Sequence, residues 1–127
     1  MQSTLKLNPL YYRLLEVEPE KWSLKKLQVL NATVHSLAVN GVENTTFDSI
    51  AKTLKMSRSH VAYYFSDKEV LFREAIHFIA TTAQIIIMDA LVRNESKDKM
   101  NAYIDANFDW AKEFPEHANV KEIYDAY

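Results

Sequence analysis

The chain has no cysteine and a single glycine, Gly41, in 127 residues. Without cysteine there is no disulfide, no thiol chemistry and no cysteine-based zinc site. One glycine cannot build the phosphate-cradling loops of nucleotide enzymes. With only three prolines beside it, the chain also lacks turn material for an all-β protein. Long apolar runs are missing as well. The richest, Ile76 to Val92, is broken by His77, Gln84 and Asp89. It reads as too short and too polar to cross a bilayer. The first residues do not follow the charged, apolar, small-residue order of a signal peptide. A cytoplasmic protein without a membrane partner is expected.

Catalytic patterns are scarce too. His35, His60, His77 and His117 are scattered, with no ligand pair one helical turn apart. Asp105, Asp109, Glu113 and His117 recur every four residues, as a metal face would. Pro115 interrupts that register, and a solvated acidic stripe explains it more simply. There is no nucleophile elbow and no Ser/His/Asp order. The expectation is a non-enzyme with no cofactor and no metal.

What remains is ample for a helical core. Apolar residues make up 48% of the chain, enough for one domain, or one small domain and part of a second. The net charge is −2, but it is unevenly spread. Residues 24–72 carry six Lys or Arg against four Asp or Glu, whereas residues 89–127 carry five against nine. A mildly basic segment followed by an acidic one suits a DNA-binding module attached to something else.

Helical signals run through the chain. Leu10, Tyr11, Leu14 and Leu15 follow Asn8-Pro9 and suggest a short first helix. Pro19 suits an early position in the next. Leu24, Leu27, Leu30, Val34, Leu37 and Ala38 form a stripe to about Asn40, and Gly41 then stands where a left-handed cap is expected. Thr45 or Thr46 can cap a helix running to Leu54, and Ser57 can cap one ending near Phe65. Ser66 with Glu69 reads as a capping box opening a long helix to about Val92. A break at Asn94-Glu95-Ser96 precedes a helix from Lys97 to Glu113, and Pro115 ends it or starts another.

The segment Phe47 to Phe65 is the most informative. Ile50 and Leu54, then Val61 and Phe65, lie one turn apart on two short helices, with Met56 between them. Ala51 is small enough for close approach. Arg58, Ser59, His60, Tyr63 and Tyr64 are left facing outward, which is the surface a helix-turn-helix lays in the major groove.

Residues 26–72 resemble the DNA-binding region of the tetracycline-repressor (TetR) family. The matching features are the helix Lys26 to Asn40, Gly41, Thr45-Thr46, Ile50-Ala51, Ser57, Tyr63-Tyr64-Phe65 and Lys68-Glu69-Val70-Leu71-Phe72. Two positions depart: Lys55 stands where the turn usually has glycine, and Ala62 where a phosphate-touching tyrosine is usual. The resemblance implies an all-α fold. An N-terminal extension (1–23) would precede a three-helix helix-turn-helix domain (24–72). A long connecting helix and part of a helical ligand-binding and dimerisation domain (73–127) would follow.

The resemblance also implies a function, a repressor that binds a palindromic double-stranded operator as a homodimer and is released by a small-molecule inducer. Arg58 would read guanine, with Ser59, His60 and Tyr63 at other base edges. Tyr64, Thr46 and Lys68 would position the head on phosphates, Lys26 would reach a flanking one, and Ser57 belongs with the DNA-binding residues. The alternative is a helical protein-interaction module that keeps the fold without binding DNA.

Beyond the helix-turn-helix, Ile76, Ile79, Ala80, Ala83, Ile86, Ile87 and Ala90 give a broad apolar surface. Tyr103, Phe108, Trp110, Ile104 and Ala111 are expected to form the stripe of the following helix, as core or as the lining of an inducer pocket. A last stripe, Val120, Ile123, Tyr124 and Tyr127, stops at the final residue. A truncated form, or self-association through the later helices, is the expectation there.

Overall fold

The computed structural model of the chain describes residues 7–93 and 98–125, and within these residues it is built from helices alone. In order they are α1 (Leu10–Val17), α2 (Leu24–Asn40), α3 (Phe47–Leu54), α4 (Arg58–Tyr64), α5 (Lys68–Arg93), α6 (Lys99–Glu113) and α7 (Pro115–Asp125). The all-α expectation holds. The break at residues 94–96, Lys97 and the C-terminal side chains from Ile123 onward lie outside the described residues. Two compact units are present, Met1–Ile76 and His77–Tyr127, and the division falls inside α5.

In the first unit α2 is the core helix. Ser23 caps it by accepting the Lys26 amide. Leu27, Leu30, Val34 and Leu37 are buried at helical spacing, with Val29 and Ala32 also enclosed. α1 packs here too. Its Tyr11 and Leu14 are buried, and the Tyr11 hydroxyl donates to Asn31 Oδ1 of α2 at 3.1 Å. Pro19 is not in a helix; it lies in the turn after α1, whose N–H···O bonds run from Lys21 and Trp22 to Glu18.

Gly41 ends α2 at φ 84°, ψ 171°. That is positive φ, as expected, but extended in ψ rather than the left-handed helical cap, a region open essentially to glycine alone. The two threonines after it have separate tasks. Thr45 is fully buried and donates to the Gly41 carbonyl at 2.8 Å, so the Ser36 hydroxyl, also 2.8 Å away, donates to Thr45. Thr46 is the cap of α3. Its side chain accepts the Ser49 amide at 3.0 Å, and Ser49 Oγ accepts the Thr46 amide at 2.9 Å. The reciprocal pair satisfies two amides and sets the direction in which α3 leaves the turn. α5 is capped by Asp67, which accepts the Val70 amide at 2.9 Å, rather than by Ser66.

α5 is 26 residues long, and by length and composition it could cross a membrane. This corrects the shorter reading of that stretch. Leu71, Ala75, Phe78, Ile79 and Thr82 are enclosed by protein, while only 22% of the apolar stretch as a whole is buried.

The second unit has a polar knot in its core. Thr82 donates to the Ile79 carbonyl at 2.7 Å and accepts from Trp110 Nε1 at 3.3 Å. Its one proton is thus used, so His117 Nδ1, 3.2 Å away, is the donor to Thr82 and the ring holds its Nδ1–H tautomer. Phe78 and Phe114 flank the imidazole. Burial pushes its pKa down to about 4. The same knot lies on the inward face of α6. Ala102, Ala106 and Trp110 point inward, whereas Tyr103, Ile104 and Phe108 are exposed, contrary to the stripe expected from sequence. His117 sits on α7 and is buried, while Asp105, Asp109 and Glu113 are exposed on α6, so the four-residue repeat does not make one face.

Candidate nucleic-acid interface

α3 and α4 form the helix-turn-helix. Phe47, Ile50 and Ala51 of α3 are buried with Val61 of α4 and Phe65 just beyond it, while Leu54 and Met56 are half-buried. The turn closes through two backbone bonds, Lys55 N–H to the Lys52 carbonyl at 3.3 Å and Met56 N–H to the Ala51 carbonyl at 3.0 Å. This paired pattern requires a left-handed residue between them. Lys55 is that residue, at φ 57° and ψ 44°, and the only non-glycine with positive φ among the described residues. The turn is kept in its usual shape with lysine where glycine is usual.

α4 buries one side through Val61 and shows the other. Arg58, Ser59, His60 and Tyr63 are exposed and Tyr64 is half-buried. Tyr63 is 81% exposed, which leaves its ring on the surface rather than packed against a neighbouring helix. The aromatic rings order one another. His60 stacks on Tyr64 at 5.9 Å between centroids, and Tyr63 meets Tyr64 edge-on at 5.1 Å. Ser57 caps α4 by accepting the His60 amide at 3.1 Å and lies 3.1 Å from Ser59 Oγ. Ala62 is half-buried beside these groups.

The remaining candidates lie on other elements. Thr46 is half-buried with its oxygen engaged in the α3 cap. Lys68 opens α5 and holds its ammonium 5.3 Å from the Phe72 ring centroid. Lys26 is differently placed. Its Nζ is 3.4 Å from the Lys21 carbonyl and 3.4 Å from Glu74 Oε2, and it sits over the rings of Trp22 and Phe65. With its side chain 19% exposed, Lys26 ties the start of α2 to α5. Sequence reading overlooked Asp48, which lies 3.5 Å from Arg58, and Lys52, exposed in the last turn of α3. Asp48 could have been found only through the first-turn preference for acidic residues, which gives no hint of its partner.

A buried brace, a tight left-handed turn and a short helix with an outward polar and aromatic face define a helix-turn-helix protein. Residues 29–75 match the family model described as bacterial regulatory proteins, tetR family. The chain is similar to the HTH-type transcriptional regulator BetI of Burkholderia cenocepacia, 27% identical over 92 residues that make up 68% of this chain and 45% of that protein. It is similar also to the BetI of Escherichia coli, 24% identical over 90 residues, 68% of this chain and 46% of the relative. No solved structure matches. Residues 29–75 thus carry a tetR-family DNA-binding region, the family that the residues of the helix-turn-helix resemble. It spans less than half the length of the curated relatives it matches.

Proposed function

We propose that the chain is a sequence-specific DNA-binding transcriptional regulator that presents α4 to the major groove. The observation that carries this reading is the outward face of α4, where Arg58, Ser59, His60 and Tyr63 are exposed while Val61 and Phe65 anchor the helix from behind. Arg58 and its neighbours read base edges, and Tyr64, Ser57, Thr46 and Lys68 register the helix on phosphates. One such module makes few contacts, so the functional unit is a homodimer on a palindromic operator. A small-molecule inducer that changes the spacing of the two heads makes it a repressor, and DNA as partner places it in the cytoplasm.

The test is binding-site selection followed by titration at several salt concentrations. Phosphate contacts require affinity for the selected palindrome to fall steeply with salt. Arg58→Ala relaxes the preference at one position per half-site, and Lys68→Ala weakens all duplexes alike. Binding indifferent to salt and sequence would favour a protein-interaction module on the same fold.

A further inference from the structure

Arg58 is the first residue of α4, and its guanidinium is held from below by the first turn of α3. Nε lies 3.5 Å from Asp48 Oδ1, and Cζ lies 5.6 Å from the centroid of the Phe47 ring. Phe47 is buried and cannot swing away, and the Thr46–Ser49 box fixes the turn on which Phe47 and Asp48 stand. A long, rotamer-rich side chain is thus restricted by a ring and a carboxylate on a rigid support. Both charged partners are largely exposed, 64% for Arg58 and 78% for Asp48. A pair so exposed contributes little to folding. Its consequence lies in the aim of the guanidinium, since a planar fork loses less freedom on binding when it is already oriented.

We propose that Asp48 is a positioning residue for specificity, holding the Arg58 fork for bidentate contact with a guanine. This rests on the DNA-reading function proposed above. A carboxylate beside a phosphate-binding surface repels DNA, so an Asp48 that did nothing for Arg58 would only weaken binding. The two effects separate experimentally, because repulsion acts on every sequence and positioning acts on one base pair.

The test compares intact protein carrying Asp48→Asn, Asp48→Glu, Arg58→Ala and the double variant Asp48→Asn/Arg58→Ala. Each is titrated with the selected duplex and with duplexes altered at each base pair. Arg58→Ala should reduce the preference at one position by about 5- to 150-fold, the range of a bidentate pair. Asp48→Asn should reduce the preference at that same position by at least about threefold and at most by the factor lost in Arg58→Ala, while binding to unrelated DNA stays equal or tightens. Asp48→Glu should restore part of the preference. In the Arg58→Ala background, Asp48→Asn should change the preference no further. A uniform tightening on all duplexes, or a sharper preference, would overturn the proposal and leave the DNA-reading function standing. A wild-type chain with no sequence preference would overturn both.

Discussion

Lys55→Gly should make the protein more stable. Lys55 occupies the left-handed region at φ 57°, ψ 44°, where a Cβ crowds the following carbonyl. An L-residue there costs about 1–2 kcal/mol, and glycine avoids it. Glycine also gains freedom in the unfolded chain, which offsets about 0.5–1 kcal/mol. The Lys55 side chain is exposed, so its removal leaves no cavity. The net expectation is a gain of about 0.5–1 kcal/mol, or a melting temperature higher by roughly 2–3 °C for a chain of this size. Urea titration followed by helical circular dichroism, with thermal melts alongside, measures it. Lys55→Ala is the control, because alanine keeps the Cβ and the strain while removing the charge. Its stability should match wild type within about 0.5 kcal/mol. Equal stabilisation by glycine and alanine would refute the reasoning and place the effect in the lysine charge. A glycine variant less stable than wild type would mean that the turn is not left-handed in solution.

Gly41→Ala should cost about 1–3 kcal/mol through backbone strain. An added Cβ meets nothing within 4 Å, so φ 84° is the only obstacle; an unchanged urea midpoint would refute that backbone geometry. His117 predicts an acid-sensitive core. The unfolded chain takes up the proton near pH 6.5, but the folded ring resists until about pH 4. The unfolded state therefore binds more protons between these values, and stability falls as pH drops through that window. The loss from this group is about 3 kcal/mol, complete below pH 4. His117→Gln should flatten that limb of the stability curve, and an identical limb in both proteins would remove His117 as its source.

Several helices were readable because they begin or end on a local signal, as at Gly41, Thr46 and Ser57. Ser23, Thr46, Ser57 and Asp98 supply cap oxygens, and α2 buries a period of apolar residues that no strand would place together. Choices between adjacent equivalents were not readable. Thr45 and Thr46 are chemically interchangeable as caps, and only Ser36, contributed by α2, decides that Thr45 is the buried one. Ser66 and Asp67 compete in the same way, and the Val70 amide goes to the carboxylate. The inward face of α6 failed for a stronger reason. Tyr103, Ile104 and Phe108 form the more apolar stripe, yet Ala102, Ala106 and Trp110 are the enclosed residues, and Trp110 Nε1 donates there to Thr82. That partner stands 28 residues away, so a stripe read along α6 alone gives no sign of it.

The candidate site divides along the same line. The composition of α4 was legible, because Val61 and Phe65 mark its inner side and so leave Arg58, Ser59, His60 and Tyr63 outside. The use of each cation was not. Lys26 and Arg58 look alike in sequence, each near the start of a helix in a basic segment. Lys26 is drawn over Trp22 and Phe65 toward Glu74, where desolvation and two aromatic faces make it part of the frame. Arg58 has a ring and a carboxylate too, but on an exposed edge, where the pair adds little stability and the guanidinium can be drawn to a stronger acceptor. Under the proposed function, burial of the pair, rather than the presence of a partner, separates a structural cation from a reading one. By that criterion Lys26→Ala should lower the melting temperature before it alters DNA preference, and Arg58→Ala should do the reverse. A Lys26→Ala variant with wild-type stability and weakened binding to every duplex would return Lys26 to the phosphate-contacting set.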